Sequence, residues 1–197
     1  MTIELLAALT AYAFVTTATP GPNNIMLLAS GVNFGFRRTI PHMLGIGIGF
    51  SVMVVLVGLG LAGIFAAWPP AHAILQTVSV GYMLWLAWRI AQAAPPEGQG
   101  QVGRPLSFLQ AAAFQWVNPK AWVMALGAVT LYAPGQEMLA ILYVAGVFAL
   151  VNLPSVSLWT ALGAGLQRFL SRPVYLRRFN IIMALLLVAS LFPVLWP

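Results

Sequence analysis

Ala18-Thr19-Pro20-Gly21-Pro22-Asn23-Asn24 interrupts an apolar segment that otherwise reads as one membrane-crossing helix from Ile3 to Ser30. A continuous helix cannot pass through it. Pro20 and Pro22 remove two backbone donors and their rings crowd the preceding turn, while Gly21 adds backbone freedom. Thr19 before Pro20 has the form of a helix start, an N-cap hydroxyl followed by proline at the first helical position. The stretch predicts a discontinuous helix whose second half begins inside the bilayer. Irregular backbone at that depth is tolerated only where protein or a wet cavity satisfies the freed polar groups. The residues alone also allow a packed proline kink, since proline is commoner in membrane helices than in soluble ones.

Of the 197 residues, 61% are hydrophobic and 6% charged, against roughly a quarter charged in a soluble domain. The chain therefore reads as an all-α integral membrane protein. Its net charge of +6 does not point to nucleic acid, because the arginines lie between apolar runs instead of forming a basic face. With no cysteine, a disulfide, a thiol relay and a thiolate metal site are all excluded, and two histidines with three acidic residues make a poor metal inventory. No cofactor and no metal are expected. The N-terminal run carries Glu4 where a signal peptide would be basic and continues past the prolines, so it is expected to remain as the first span. No G-x-S-x-G, no H-E-x-x-H, no phosphate loop and no carboxylate pair lies in an apolar segment, so intramembrane hydrolysis and ATP-driven pumping lack their parts. An enzyme is not expected.

Six segments are long enough to cross a hydrocarbon core of about 30 Å at about 1.5 Å per residue. They run from Ile3 to Ser30, Thr39 to Ala67, Ala71 to Ala93, Leu106 to Tyr132, Glu137 to Leu166 and Val174 to Trp196. The polar joint around Pro95-Pro96-Glu97-Gly98-Gln99-Gly100 divides the chain into a first three-helix repeat, 1–95, a cytoplasmic linker, 96–105, and a second three-helix repeat, 106–197. Arg37, Arg38, Arg89, Arg104, Arg168, Arg172, Arg177 and Arg178 all fall on one side of the predicted membrane. Glu4, the Trp68-Pro69-Pro70 turn, Glu137 and the C-terminus share the other. The positive-inside rule then places both termini outside the cytoplasm.

An odd number of helices per half makes any repeat an inverted one. Gln115-Trp116-Val117-Asn118-Pro119-Lys120, near the middle of the fourth segment, answers the opening stretch, and Pro20 and Pro119 lie 99 residues apart, half the chain. Asn118 before Pro119 repeats the cap-then-proline order of Thr19 before Pro20, so helices 1 and 4 are both expected to be broken. Inverted repeats whose broken helices meet at mid-membrane are the sequence pointer to a secondary transporter's binding site.

Helix N-termini present unpaired N–H groups and the positive end of the macrodipole, which suit a carboxylate. Lys120 adds a full charge about 18 Å from either end of its segment along the axis, too deep to snorkel easily. Such charges mark pathways, relays or counter-ions, although backbone carbonyls near a helix break can also satisfy one. The prolines free the carbonyls of Thr16, Ala18 and Gln115 as acceptors for an ammonium group. The candidate substrate-binding residues are thus Thr19, Pro20, Gly21, Pro22, Asn23, Asn24, Asn118, Pro119 and Lys120. Asn152, in the third polar interruption Asn152-Leu153-Pro154-Ser155, joins them, or else holds the bundle together by an interhelical hydrogen bond. Gly45, Gly47, Gly49, Gly58, Gly60 and Gly63 provide small-residue spacing for close helix packing within the monomer, with a homodimer face as the alternative. Trp85 and Trp88 read as interfacial anchors, and His42 as a solvated end residue.

Thr19-Pro20-Gly21-Pro22-Asn23, together with Asn118-Pro119-Lys120, resembles the LysE/RhtB family of bacterial amino-acid exporters. Length, six spans, the mid-chain joint and Gly35-Phe36-Arg37-Arg38 agree over essentially the whole chain, and the resemblance is greatest to the branch exporting cysteine and O-acetylserine or homoserine and threonine. It implies efflux of amino acids or their derivatives across the bacterial inner membrane, driven by the proton-motive force. The residues sharpen that expectation: no aspartate and no intramembrane glutamate is present to receive a cationic side chain, so the substrate should be neutral. The same absence leaves proton coupling to Lys120 or to the substrate's own protonation. A passive small-solute channel or a non-transporting membrane subunit is the alternative.

Overall fold

The computed structural model describes residues 2–93, 103–170 and 172–192, and every regular element among them is helical. Helix α1 spans Ile3–Ala18, opened by the Thr2 hydroxyl, which accepts from the Leu5 N–H at 3.3 Å, with Glu4 at the positive end of the dipole. Helix α2 spans Pro22–Phe34 and leaves α1 at a 55° bend. The break falls where the prolines put it, but the cap differs from the expected one: Thr19 closes α1, and Gly21 is the N-cap of α2 with Pro22 in its first turn. The reason is steric. A residue before proline is held in extended conformation, which acts on Thr19 (ψ 145°) and again on Gly21 (φ −177°, ψ 179°), so α2 can start only after the second of them.

Helix α3, Phe36–Leu56, runs into a kink at Val57–Leu61, where Gly60 takes the non-helical φ +94°, and the short α4, Gly63–Ala67, follows. Helix α5 is Pro70–Ala91. Helix α6, Phe108–Val117, begins with a capping box in which Ser107 and Gln110 satisfy each other's backbone N–H groups. Helix α7, Pro119–Tyr132, starts as expected, with the Asn118 side chain accepting from the Lys120 N–H at 3.1 Å. Helix α8, Met138–Leu166, passes through Pro154 without a break, and α9 is Pro173–Ala189.

Among the described residues, two helical stretches, Phe36–Leu61 and Met138–Leu166, are long and apolar enough to cross a membrane, and the bent pair α1–α2 makes a third if taken as one span. Helices α6 and α7, of 10 and 14 residues, are each too short alone. Most of the expected linker and the end of the sixth segment lie outside the described residues. Large apolar side chains, including Val52, Leu59, Leu139, Leu150 and Leu185, cover the perimeter, an arrangement that suits lipid rather than water.

Packing runs across the chain's two halves. Helix α2 lies against α8, α3 between α6 and α8, and α5 against α9. The α2–α8 crossing is backbone to backbone: a Cβ on Gly163 would strike the Leu28 carbonyl, and one on Gly31 the Thr160 carbonyl. Gly45 and Gly49 approach α6 in the same way, while Gly47, Gly60 and Gly63 face open space. The interior forms two apolar clusters, one around Leu27, Met83 and Phe114, the other around Leu9, Met53 and Phe148. His42 corrects an expectation. With α3 beginning at Phe36, it stands almost two turns inside, on the face carrying Thr39, Met43 and Ile46, and is 1% exposed.

Candidate functional site

The two helix breaks meet. Lys120, at the start of α7, reaches across to the end of α1, where its Nζ donates to the Thr19 carbonyl at 2.8 Å, to Thr19 Oγ1 at 2.9 Å and to the Pro20 carbonyl at 3.4 Å. The geometry follows from electrostatics, because a cation is favoured at a helix C-terminus and disfavoured at the N-terminus of its own helix. Next to it, Asn23 and Gln115 exchange reciprocal amide bonds: Asn23 Nδ2 donates to Gln115 Oε1 at 2.9 Å and Gln115 Nε2 to Asn23 Oδ1 at 3.1 Å. One break is thus tied to the other by an ammonium and by an amide pair.

The carbonyls released by the prolines were expected to await a ligand's ammonium group. In this conformation they have donors from the protein. The Thr16 carbonyl accepts from the Thr19 hydroxyl at 3.1 Å, the Ala18 carbonyl from Trp159 Nε1 at 3.2 Å, and the Gln115 carbonyl from the Asn118 N–H at 3.3 Å. The Thr17 carbonyl, also left open at the end of α1, takes two donors, Asn24 Nδ2 at 2.8 Å and the Ser155 hydroxyl at 2.9 Å. Asn24 Nδ2 donates to the Thr19 carbonyl as well, at 2.8 Å. Each carbonyl of this polar layer, from Thr16 to Pro20, thus takes a donor from a side chain.

Between this layer and the apolar cores lies a cavity of about 30 Å³, lined by Gly21, Asn23, Asn24, Asn118, Lys120 and Asn152, with Thr16, Thr17 and the apolar Ile46, Phe50 and Met124. Six of the ten residues predicted from sequence share this one space. Thr19, Pro20, Pro22 and Pro119 do not line it; the first two are exposed beside the lysine. A space of this size admits a water or two, well short of the roughly 300 Å³ of an ordinary ligand pocket. Lys120 lies over Gly21: a Cβ added there would stand 2.8 Å from Lys120 Cδ and 3.1 Å from Nζ.

This pairing of two broken helices is embedded in a chain whose residues 14–191 match the LysE type translocator family. The chain belongs to the LysE family of translocators. It is 34% identical over 192 residues to the "Cysteine/O-acetylserine efflux protein" of Escherichia coli strain K12, a match covering 95% of this chain and 96% of that protein. The proteins of the same description from Escherichia coli O9:H4 strain HS and Shigella sonnei strain Ss046 match equally, at 34% identity with the same coverage. No solved structure matches.

Several residues of this LysE translocator's polar layer escape a reading of the sequence. Gln115 was visible only as a proline-freed carbonyl, yet its fully buried side chain makes the amide pair. Trp159 carries no motif of its own, but its place four residues after Ser155 puts both on one face of α8, and both donate to carbonyls at the end of α1.

Proposed function

We propose that this chain is a secondary transporter exporting neutral amino acids or their derivatives, of the cysteine, O-acetylserine, threonine or homoserine type, across the bacterial inner membrane. The observation that carries the reading is the small cavity walled by both helix breaks, with Lys120 as the charged side chain among its lining residues. The family membership and the efflux proteins among the relatives support it. In this reading six spans form two inverted three-helix halves, 1–95 and 106–197, joined by a cytoplasmic linker at 96–105, with both termini outside the cytoplasm. The arginine distribution supports that orientation. The packing is consistent with it: α6 of the second half lies on the long helix α3 of the first, and α1 of the first on the long helix α8 of the second.

A substrate carboxylate enters by drawing the Lys120 ammonium off the Thr19 and Pro20 carbonyls, which then receive the substrate's own ammonium group. The N-termini of α2 and α7 add dipole stabilisation to the carboxylate. Rocking of one half against the other around this point gives alternating access. A lysine or arginine side chain would need a carboxylate partner, and none lines the cavity, so neutral solutes are preferred.

Efflux from proteoliposomes against a panel of labelled amino acids, with and without an imposed proton gradient, tests the proposal. The expected result is saturable, gradient-dependent release of neutral solutes that Lys120→Met abolishes without loss of insertion. Faster export of lysine or arginine would refute the neutral-substrate assignment, unsaturable flux would make the protein a channel, and no flux would make it a subunit.

A further inference from the structure

A second, larger cavity of about 260 Å³ lies between α2, α3, α5 and the segment at residues 103–106. Its walls are apolar at Met26, Leu86 and Leu106, and two arginines, Arg89 and Arg104, also line it. No carboxylate lines it among the described residues. The volume approaches the lower end of the range for small-molecule pockets and exceeds that of the cavity at the breaks severalfold.

His42 lines this cavity, and both of its ring nitrogens are buried with no hydrogen-bond partner among the described residues. The neighbouring buried polar side chains are matched. Ser30 and Thr39 share a hydrogen bond of 2.9 Å, and Asn33 and Asn180 exchange two, at 2.8 and 3.0 Å. An imidazole always carries at least one N–H donor, and leaving it unmatched in the interior costs free energy that the adjacent pairs avoid. A group that occupies the cavity and meets His42 removes that cost.

We propose that this cavity is a second solute site, which takes a small carboxylate-bearing molecule with a short uncharged side chain. Arg89 and Arg104 receive the carboxylate, the apolar wall the side chain, and His42 a polar group at the inner end. The Arg89 guanidinium also lies 5.2 Å from the centre of the Trp85 ring, a cation–π contact outside the cavity lining. The choice of solute rests on the export reading above; the existence of the site does not.

The test is equilibrium dialysis of labelled O-acetyl-L-serine against the full chain in phosphatidylcholine nanodiscs. Two bound equivalents are expected, one lost in His42→Leu and in Arg104→Gln, the other lost in Lys120→Met. Arg104 is exposed, so its variant keeps the test valid if His42→Leu does not fold. A single equivalent that disappears in Lys120→Met and persists in the two cavity variants overturns this proposal and leaves the site at the breaks standing. A single equivalent with the opposite pattern does the reverse, and no binding at all overturns both. Phosphatidylglycerol in the nanodisc separates the sources of the anion: if it displaces the equivalent that depends on His42, the cavity belongs to a lipid phosphate and the proposal fails.

Discussion

The Asn23–Gln115 pair ties the two helix breaks together through side chains 92 residues apart in sequence, and its contribution can be worked out. Side-chain hydrogen bonds inside membrane proteins average about 0.6 kcal/mol in double-mutant cycles, so the two reciprocal bonds should couple the residues by about 1.2 kcal/mol. At about 1.4 kcal/mol per tenfold, that is a factor of roughly eight in the equilibrium between the tied and untied states. Replacing one partner alone should cost more, about 1–3 kcal/mol, because it strands the other amide, and Gln115 is 0% exposed. Asn23→Leu and Gln115→Met keep side-chain volume while removing the amides. Unfolding free energies of the wild type, the two single variants and the double variant, measured in bicelles, give the cycle. The double variant should be less destabilised than the sum of the singles by about 1.2 kcal/mol. Additivity within about 0.3–0.5 kcal/mol would show that the amides do not hold the breaks together, and the account of the polar layer would fall with it.

Gly163→Ala should destabilise the protein by about 1–3 kcal/mol, since its Cβ lands on the Leu28 carbonyl and α2 must move off α8, whereas Gly165→Ala meets open space and should be neutral; equal unfolding midpoints for the two would refute the close crossing. Asn118→Ala should cost about 1 kcal/mol through loss of the α7 cap and Asn118→Ser, a neutral cap, should restore most of it, so thermal melts in detergent that fail to separate Ala from Ser would remove the cap from the argument.

How much was legible depended on whether the signal was local. Helix α8 was read as Glu137 to Leu166 and is Met138–Leu166, because a long apolar run between polar ends leaves little choice. The start of α7 was equally clear, since a single Asn-Pro pair permits one cap. The first break was located but its cap was misassigned by two residues, because Thr19-Pro20 and Gly21-Pro22 compete and only the steric demand of the later proline decides between them. His42 was misread from its nearness to Arg37 and Arg38, when the helix period placed it on the buried face with Thr39 and Ile46. The kink at Gly60 left no sign in an apolar, glycine-containing run that reads as ordinary helix. The partners of Lys120, Gln115 and Trp159 were out of reach in principle. Those across the breaks lie 92 or more residues away, and only the crossing of α1, α2, α6, α7 and α8 brings them together.

The supply of donors to the carbonyls of the bend also has a consequence for biosynthesis. The Ala18 carbonyl is answered by Trp159, 141 residues later, and the Pro20 carbonyl by Lys120, 100 residues later. A chain made from its N-terminus therefore presents the bend to the membrane long before those donors have left the ribosome. Until then water or the insertion machinery must cover two open carbonyls, because hydrocarbon cannot. The first half is complete as a length of chain well before it is complete as a solute of the bilayer. Its final settling in the membrane is thereby tied to the arrival of the second.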